Sequence, residues 1–392
     1  MAASKMGLKD VIKYEFSYLF HHNWKLALIL LGLPILYSLL FGFAYNGNIV
    51  KNIPTLIYDQ DQSATSSALI RSFADSERYT IVAQVLSQEA MEEKLQDGEA
   101  IVAIIIPPSF AHDIKLGKSS QVLLTINSAN IMFSNAILGS VQEIVQSFSV
   151  GAGQKSVEGL SQLPSQALST VAPIRLGVRV LHNPTFSYSN FMLAGLATNG
   201  LQIAIMISIC GILAREFANF ALWRNTSSLT LIAGKIVPYW LCSIFSFITS
   251  LSITIIFFEV PFRGDIASLL LLGCIFTFTI ITVGLFFSAI APNTISAVQL
   301  PMLYIMPSYL FSGYSWPTLA MNDFSRGFSA ILPITYAADC IRDILLAGYS
   351  PVLLTNLATL LAFAAVFLVL ALVIFSLRRK KTLQALDGEV SL

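Results

Sequence analysis

The chain has 392 residues, of which 55% are hydrophobic and 11% are charged, and its formal net charge is +1. A soluble domain carries about 25% charged residues, so this composition excludes an ordinary soluble protein and indicates an integral membrane protein. The near-neutral balance gives no reason to expect nucleic acid, and the four cysteines form neither a disulfide framework nor a metal site.

The N-terminal segment, residues 1–24, predicts an amphipathic helix lying in the cytoplasmic membrane interface. Its apolar residues recur at helical spacing, and they are Leu8, Val11, Ile12, Phe16, Leu19 and Phe20. The charged residues assigned to the opposite face are Lys5, Lys9, Lys13 and Glu15.

Membrane spans are expected where about 20 mostly apolar residues follow one another, since that length crosses the hydrocarbon core. Six such runs contain no charged residue, and they cover 26–45, 191–214, 236–258, 266–290, 295–311 and 352–377. The fifth run is short and carries Pro301 and Pro307, so we expect it to be kinked or broken. The expected fold is an α-helical polytopic membrane protein with six transmembrane helices.

Orientation follows from the basic residues, which favour the cytoplasmic side in short loops. With the N-terminus inside, eleven lie on that side: Lys5, Lys9, Lys13, Lys25, Arg215, Arg224, Lys235, Arg378, Arg379, Lys380 and Lys381. The opposite short loops hold only Arg263, Arg326 and Arg342. Both termini are therefore expected in the cytoplasm, with a first span at 25–46, spans 2–6 within 189–377 and a cytoplasmic tail at 378–392.

Residues 47–188 have the charge content and strand-like alternation of an extracytoplasmic mixed α/β domain inserted between the first two spans. Strands are predicted at 53–58, 79–86, 100–106 and 121–126, and helices at 63–75, 87–95, 110–116 and 130–149. The stretch that follows, to 171, is either a linker or a polar helix. Within it, Gly151–Ser156 imitates a phosphate-binding loop, but Gln154 separates the last glycine from Lys155, which argues against nucleotide binding.

Two external segments, IPTLIYDQDQSATSSALIRSF at 53–73 and LQDGEAIVAIIIPPSF at 95–110, support a family resemblance. Together with the order of the parts, they resemble permease subunits of the ABC-2 family, the type V exporters, in the bacterial multidrug-efflux branch. This resemblance implies a transport subunit that is not itself an enzyme.

The resemblance also concerns the cytoplasmic loop 215–235. In the family a similar Arg-Glu pair opens a coupling helix that touches the ATPase, and Gly234, Lys235, Pro238 and Tyr239 match the residues that close it. The usual acidic and Gly-Thr residues after the pair are replaced here by residues 217–222. The coupling residues implied by the resemblance are Arg215, Glu216, Trp223, Arg224, Thr226 and Lys235. The alternative is that Arg215 and Glu216 merely end a span at the interface.

Residues 312–350 are similar to the family's external re-entrant hairpin before the last span. The resemblance implies a gate formed by Trp316, Pro317, Pro333 and Tyr336. A purely structural role is the alternative, because prolines break regular structure and Trp and Tyr suit the interface.

The mechanism expected is export of a drug-like or lipid-like molecule, powered by ATP and Mg²⁺ in a partner ATPase, since no correctly spaced phosphate-binding loop is present. The polar residues that could line the pathway are Asn199, Gln202, Thr249, Gln299 and Tyr304. Hydrogen bonds between helices would explain them equally well. A secondary carrier is disfavoured because the six runs lack charged residues.

The resemblance implies three partners: ABC ATPase subunits, a second permease subunit that is identical or related, and a periplasmic adaptor. It places the complex in the bacterial inner membrane. The other functions considered are a membrane-anchored receptor or adaptor-binding protein, and export of polysaccharide or peptide instead of drugs.

Overall fold

A computed structural model of the protein describes residues 6–45, 50–116, 118–127, 131–158, 181–184, 187–218 and 224–389. Contacts divide the chain into two compact units. One is a helical unit made of Met1–Asn48 and Val180–Leu392, and the other is an α/β unit made of Ile49–Arg179.

The helical unit consists of helices of very different lengths. In chain order they are α1 (Leu8–Ser17), α2 (Trp24–Tyr45), α7 (Tyr188–Ile209), α8 (Ile212–Ala218), α9 (Ser228–Ser252), α10 (Ile266–Ile290), α11 (Thr294–Ile305), α12 (Ser308–Phe311), α13 (Asp323–Ala330), α14 (Pro333–Ala347) and α15 (Leu353–Glu389). Single π-helical turns extend α1 over Tyr18–His22 and α9 over Ile253–Phe257.

Five helices among the described residues are long and apolar enough to cross a membrane. They are Trp24–Tyr45, Tyr188–Phe217, Ser228–Phe257, Ile266–Ile290 and Leu353–Gln384. The fifth predicted span is not confirmed as a continuous crossing, because the chain there forms α11 and α12, of 12 and 4 residues. Pro301 lies inside α11 and Pro307 precedes α12, and a proline removes a backbone donor.

The broken pair α11 and α12 nevertheless runs the length of α7 in the opposite direction. Thr294 lies against Gly211, and Gln202 donates to Ser308 Oγ at 2.8 Å. Further along, Tyr314 lies against Gly195 so closely that a Cβ there would come within 2.5 Å of the ring. The glycines are 16 positions apart, about 24 Å along a helix. We call the end near Gly211 the loop end of the unit, and the end near Gly195 the hairpin end.

A buried serine donates to a backbone carbonyl oxygen of α2 that a proline leaves without its helical hydrogen bond. Pro34 has no N–H to donate to the carbonyl oxygen of Leu30, four residues earlier. Ser246 of α9 donates to that oxygen at 2.9 Å, and Ser250 Oγ lies 2.7 Å from Ser38 Oγ. The contact between α2 and α9 thereby repairs the gap in the helix and fixes the register of the two helices.

The α/β unit contains a four-stranded sheet in the order β2-β1-β3-β4. Its strands are β1 (Ile53–Asp59), β2 (Tyr79–Gln84), β3 (Val102–Ile106) and β4 (Leu123–Ile126), and its helices are α3 (Ala64–Ala74), α4 (Gln88–Gln96), α5 (Phe110–Lys115) and α6 (Ile131–Glu158). β1 pairs in parallel with β2 and β3, and β4 is antiparallel to β3. The predicted strands and helices of this region are confirmed.

Two apolar clusters cover the two faces of the sheet. One joins Ile57 and Val102 to Phe73, Phe110 and Ile137 on the helices. The other joins sheet residues to Met91 of α4. The serine caps expected at Ser63 and Ser87 both accept a backbone N–H three residues later.

The phosphate-loop lookalike Gly151–Ser156 lies inside helix α6, and the stretch left open between a linker and a helix is helical as far as Glu158. Residues 159–171 of that stretch lie outside the described residues.

Candidate functional site

Four charged side chains meet at the loop end, on α1, α8 and α9. Lys235 Nζ donates to Glu216 Oε1 at 2.8 Å and also to Glu15 Oε1. Arg215 Nη2 lies 3.0 Å from Glu15 Oε1, 3.1 Å from Glu15 Oε2 and 3.4 Å from Glu216 Oε1. Glu15 and Lys235 are fully buried. We call these four residues the inner charge cluster. Its two positive and two negative charges balance.

Glu15 is buried because it lies on the same stripe of α1 as the apolar residues that pack inward. Val11, Glu15 and Leu19 are spaced four apart, and all three are 0% exposed. The assignment of Glu15 to the polar, exposed face is therefore wrong. Leu8 and Phe20, placed on the apolar face, are 46% and 44% exposed.

Gly234 allows α1 to lie directly on α9. A Cβ at this position would come within 2.6 Å of Val11 Cγ1 and within 2.7 Å of Val11 Cβ. A side chain here would move α1 away and separate Glu15 from Lys235. In the Gly-Lys pair recognised in the sequence, Gly234 thus allows α1 to approach α9, and Lys235 pairs with the charge of Glu15.

The inner charge cluster is tightly packed yet incompletely paired. The guanidinium of Arg215 lies over the ring of Tyr18, 3.6 Å from its centroid. Glu216 Oε2 and Tyr239 Oη are buried, and neither has a hydrogen-bond partner among the described residues. A buried polar atom without a partner costs about 1–3 kcal/mol, so these two atoms offset part of the stabilisation that the ion pairs provide.

The other predicted coupling residues lie at the same end. Thr226 is buried and its Oγ1 accepts the N–H of Met6 at 3.3 Å, which joins the start of α1 to the start of α9. Arg224 is exposed, and its carbonyl oxygen accepts from Arg379 Nη2 at 3.1 Å. Trp223 lies outside the described residues. The predicted loop 215–235 is helical at both ends, in α8 and from Ser228 onward.

Two of the five candidate pathway residues lie together on α7. Asn199 and Gln202 are 8% and 1% exposed, and Asn199 Oδ1 and Gln202 Oε1 have no hydrogen-bond partner in the part of the chain described. Ser308 Oγ donates its only proton to the carbonyl oxygen of Ile305 at 2.6 Å. Ser308 must therefore accept from Gln202 Nε2, and Oε1 is left as an acceptor beside the break between α11 and α12.

The structure does not bring the other three candidates into this polar group. Thr249 donates to the carbonyl oxygen of Phe245 in its own helix, and Gln299 is exposed. Tyr304 Oη donates to the carbonyl oxygen of Ile331, so it ties α11 to the hairpin.

An aromatic and charged contact closes the hairpin end. Tyr314 Oη donates to the carbonyl oxygen of Phe191 at the start of α7. Arg342 of α14 lies 4.8 Å from the Tyr314 ring centroid and 5.4 Å from that of Phe191, and it pairs with Asp339 at 3.0 Å. Gly313, at φ +87°, permits the turn that directs Tyr314 inward.

The four predicted gate residues lie in the same hairpin, 312–350. Trp316 is 54% exposed and Pro317 precedes the short 3₁₀ turn Thr318–Ala320. Pro333 is the first residue of α14, and Tyr336 Oη donates to the carbonyl oxygen of Ala330. They shape the hairpin, while Tyr314 and Arg342 attach it to α7.

Comparison with known proteins places the chain in a family. The model of the family described as "ABC-2 family transporter protein" matches residues 24–373. The chain belongs to the ABC-2 transporter family. It is thus an ABC-2 permease of an ABC transporter.

Three curated Escherichia coli relatives of this ABC-2 permease extend over most of both chains. "Probable multidrug ABC transporter permease YbhR" is 26% identical over 326 residues, covering 82% of this chain and 85% of the relative. "Probable multidrug ABC transporter permease YbhS" is 22% identical over 361 residues, covering 88% and 90%. "Inner membrane transport permease YhhJ" is 23% identical over 345 residues, covering 84% and 86%.

Three site residues of this ABC-2 permease are not among those predicted from the sequence, namely Glu15 and the hairpin-end pair Tyr314 and Arg342. The one local signal for Glu15 is its spacing of four from both Val11 and Leu19, and that signal alone does not distinguish a buried from an exposed carboxylate. Phe191, whose carbonyl oxygen accepts from Tyr314 Oη, lies 123 positions away in the chain, and no local pattern connects the two residues.

Proposed function

We propose that this ABC-2 permease is the membrane-spanning half of an exporter driven by separate ATPase subunits, which bind ATP and Mg²⁺. The observation that carries the proposal is the inner charge cluster. It anchors the segment between α8 and α9 at both ends in buried ion pairs, through Arg215 and Glu216 on one side and Lys235 on the other.

The role of these residues in coupling is indirect, because their side chains face α1 instead of solvent. Movement of the segment 219–227 by an ATPase would pull on Glu216 and Lys235, and through them on Glu15 and α1. Arg224, which is exposed, and Trp223 are the residues proposed to contact the ATPase. Buried charge pairs resist rearrangement, so the helices would move as one body.

The proposed topology puts the loop end and both chain termini in the cytoplasm and the α/β unit outside, in the bacterial inner membrane. The broken pair α11 and α12 would form the sixth crossing, since it runs along α7 from the loop end to the hairpin end. The basic residues Arg215, Arg224 and Arg378 would then lie on the cytoplasmic side, as the positive-inside preference favours.

The proposed substrate is a hydrophobic or amphipathic molecule with hydrogen-bond donors. Asn199 and Gln202 offer two buried acceptor oxygens without partners among the described residues, and a donor from a substrate would satisfy them. The pathway would lie between two permease subunits. Because Asn199 and Gln202 are buried within one chain, they would meet a substrate only after α11 and α12 move away from α7. Release would follow detachment of the hairpin at Tyr314, and an adaptor would bind the α/β unit. The relatives YbhR and YbhS, both named as probable multidrug permeases, support a drug-like substrate.

The test is purification of the tagged chain in mild detergent, identification of its partners by mass spectrometry, an ATPase assay, and uptake of a hydrophobic fluorescent dye into inverted vesicles. We expect an ATPase subunit to copurify and ATP to drive uptake. Glu216→Gln and Trp223→Ala should abolish dye-stimulated hydrolysis, while Glu93→Gln on the exposed surface of the α/β unit should not. A chain that purifies alone, with no nucleotide-dependent uptake, would favour the receptor alternative.

A further inference from the structure

The basic run that follows the last apolar stretch is divided by the structure into two pairs. Arg378 is partly buried and Arg379 is 7% exposed, whereas Lys380 and Lys381 are exposed. Retention of a tail in the cytoplasm requires only positive charge, and it makes no distinction between these four residues. The burial of the two arginines therefore needs a separate explanation.

Arg378 closes the end of α10 and touches α8. Its Nη1 donates to the carbonyl oxygens of Ala289 at 2.6 Å and Ala291 at 2.7 Å. These oxygens lie where α10 ends, and the last carbonyls of a helix have no partner within it. The Arg378 guanidinium also lies 4.5 Å from the ring centroid of Phe217, just before the segment 219–227.

Arg379 holds the far end of the same segment. Its Nη2 donates to the carbonyl oxygen of Arg224 at 3.1 Å, and its Nη1 donates to Ser228 Oγ at 3.4 Å. Ser228 is the first residue of α9. Neighbouring residues of a helix point about 100° apart, so one turn of α15 reaches both ends of the segment between α8 and α9.

We propose that Arg378 and Arg379 are positioning residues that link the segment between α8 and α9 to the last span, α15. This rests on the proposed function, in which that segment receives the movement of the ATPase. α15 packs mainly on α10, so the two arginines give it a direct connection to the moving segment. Hydrolysis would then be coupled to α15 as well as to α1.

The geometry requires arginine. One guanidinium presents five N–H donors in a planar fork and reaches two carbonyl oxygens and an aromatic ring together, whereas a lysine ammonium is a point charge on a flexible stem. Arg378→Lys/Arg379→Lys preserves the charge and the topology signal while it removes the fork. Lys380→Gln/Lys381→Gln removes two charges and leaves the fork in place.

The test compares these variants with the wild type in proteoliposomes that contain the copurified ATPase, and it measures ATP hydrolysed per dye molecule moved. We expect the Arg-to-Lys variant to keep hydrolysis but to lose about tenfold in transport, the size of one lost charge-assisted hydrogen bond. The Lys-to-Gln variant should keep the wild-type ratio. An unchanged ratio in the Arg-to-Lys variant, or an equal loss in the Lys-to-Gln variant, would overturn the proposal.

A second measurement separates this proposal from the proposed function. Hydrogen exchange of residues 224–235 in the purified wild type needs no substrate, and we expect it to accelerate about tenfold only in the Arg-to-Lys variant. Unchanged exchange in the Arg-to-Lys variant would refute the link between α15 and the segment that joins α8 to α9. If the wild type shows no nucleotide-dependent transport, the proposed exporter function is refuted. The link between α15 and the segment is then decided by the hydrogen exchange of residues 224–235 alone.

Discussion

Lys235 donates to Glu216 Oε1 at 2.8 Å and to Glu15 Oε1, so a single buried ammonium joins α8 and α9 to the N-terminal helix α1. Glu15 and Lys235 are 220 positions apart in the chain, and their pairing joins α1 to α9 beside the close contact between Val11 and Gly234. The balance of two positive and two negative charges makes its burial tolerable.

Removal of the ammonium should destabilise the loop end strongly. Lys235→Met leaves two buried carboxylates with Arg215 alone, and breaking such a pair costs about 3–5 kcal/mol. We expect a lower melting temperature in detergent and faster hydrogen exchange in α1. Lys13→Met, on the exposed side of α1, should melt like the wild type.

A second substitution tests whether charge is the cause. Glu15→Gln/Lys235→Met restores a balance of one positive and one negative charge, so it should recover part of the stability lost in Lys235→Met. Equal melting temperatures for the single and double variants would show that packing, not charge, holds α1.

The close contact at Gly234 predicts that replacing this glycine by alanine lowers the stability of the protein, whereas the same change elsewhere in a helix usually raises it. In a helix, alanine is normally favoured over glycine by about 1 kcal/mol. Gly234→Ala should nevertheless destabilise the protein, because the new Cβ would come within 2.6 Å of Val11. Gly139→Ala and Gly327→Ala, also in helices but with no atom within 4 Å, are the controls and should be neutral or stabilising in the same melting assay.

The α/β unit could be predicted from the sequence largely because its signals are local. Ser63 and Ser87 mark helix starts, and the strands are short, largely apolar runs of four to seven residues, of which only β2 alternates between buried and less buried residues. The length and apolar character of the five long helices are local properties as well. The break between α11 and α12 could only be expected in outline, from Pro301 and Pro307.

The inner charge cluster could not be predicted from the sequence, because the burial of Glu15 depends on Arg215 and Lys235, which approach only after folding. A charged residue between two apolar ones at a spacing of four is ambiguous, since it faces solvent unless a distant cation neutralises it. The same limit applies to Arg342, whose aromatic partners Phe191 and Tyr314 lie on other elements.

The contact at the hairpin end predicts a local loosening. Arg342→Gln should remove the pairing with Asp339 and the packing on Tyr314 and Phe191, and cation–π contacts contribute about 0.5–2 kcal/mol when partly buried. Hydrogen exchange over 312–318 should therefore accelerate. Arg326→Gln is the matched control, because its pair with Asp323 is exposed and such pairs contribute little. Similar exchange in both variants would contradict a fastening role for Arg342.

Tyr79 should make the docking of α6 depend on pH. Its hydroxyl contacts Ser140 Oγ and donates to the carbonyl oxygen of Ile137 at 3.3 Å, and burial raises its pKa above the usual value, although the Ser140 hydrogen bond lowers it. A raised pKa means that the folded state prefers the neutral phenol. Its stabilising contribution is therefore complete below about pH 10, the unfolded value, and is lost as the pH rises through the folded value.

A nitroxide spin label at Gln142→Cys, on the exposed side of α6, would report this loss. In the wild type its mobility should be constant below about pH 9 and rise above about pH 10, where the phenol of the undocked state ionises. Tyr79→Phe should show raised mobility already at neutral pH, in keeping with a cost of about 1 kcal/mol for the lost hydrogen bonds, and a weaker dependence on pH. Tyr58→Phe, which removes the same atom from the α4 face of the sheet, should follow the wild type. A pH response that survives in Tyr79→Phe would assign the titration to another group.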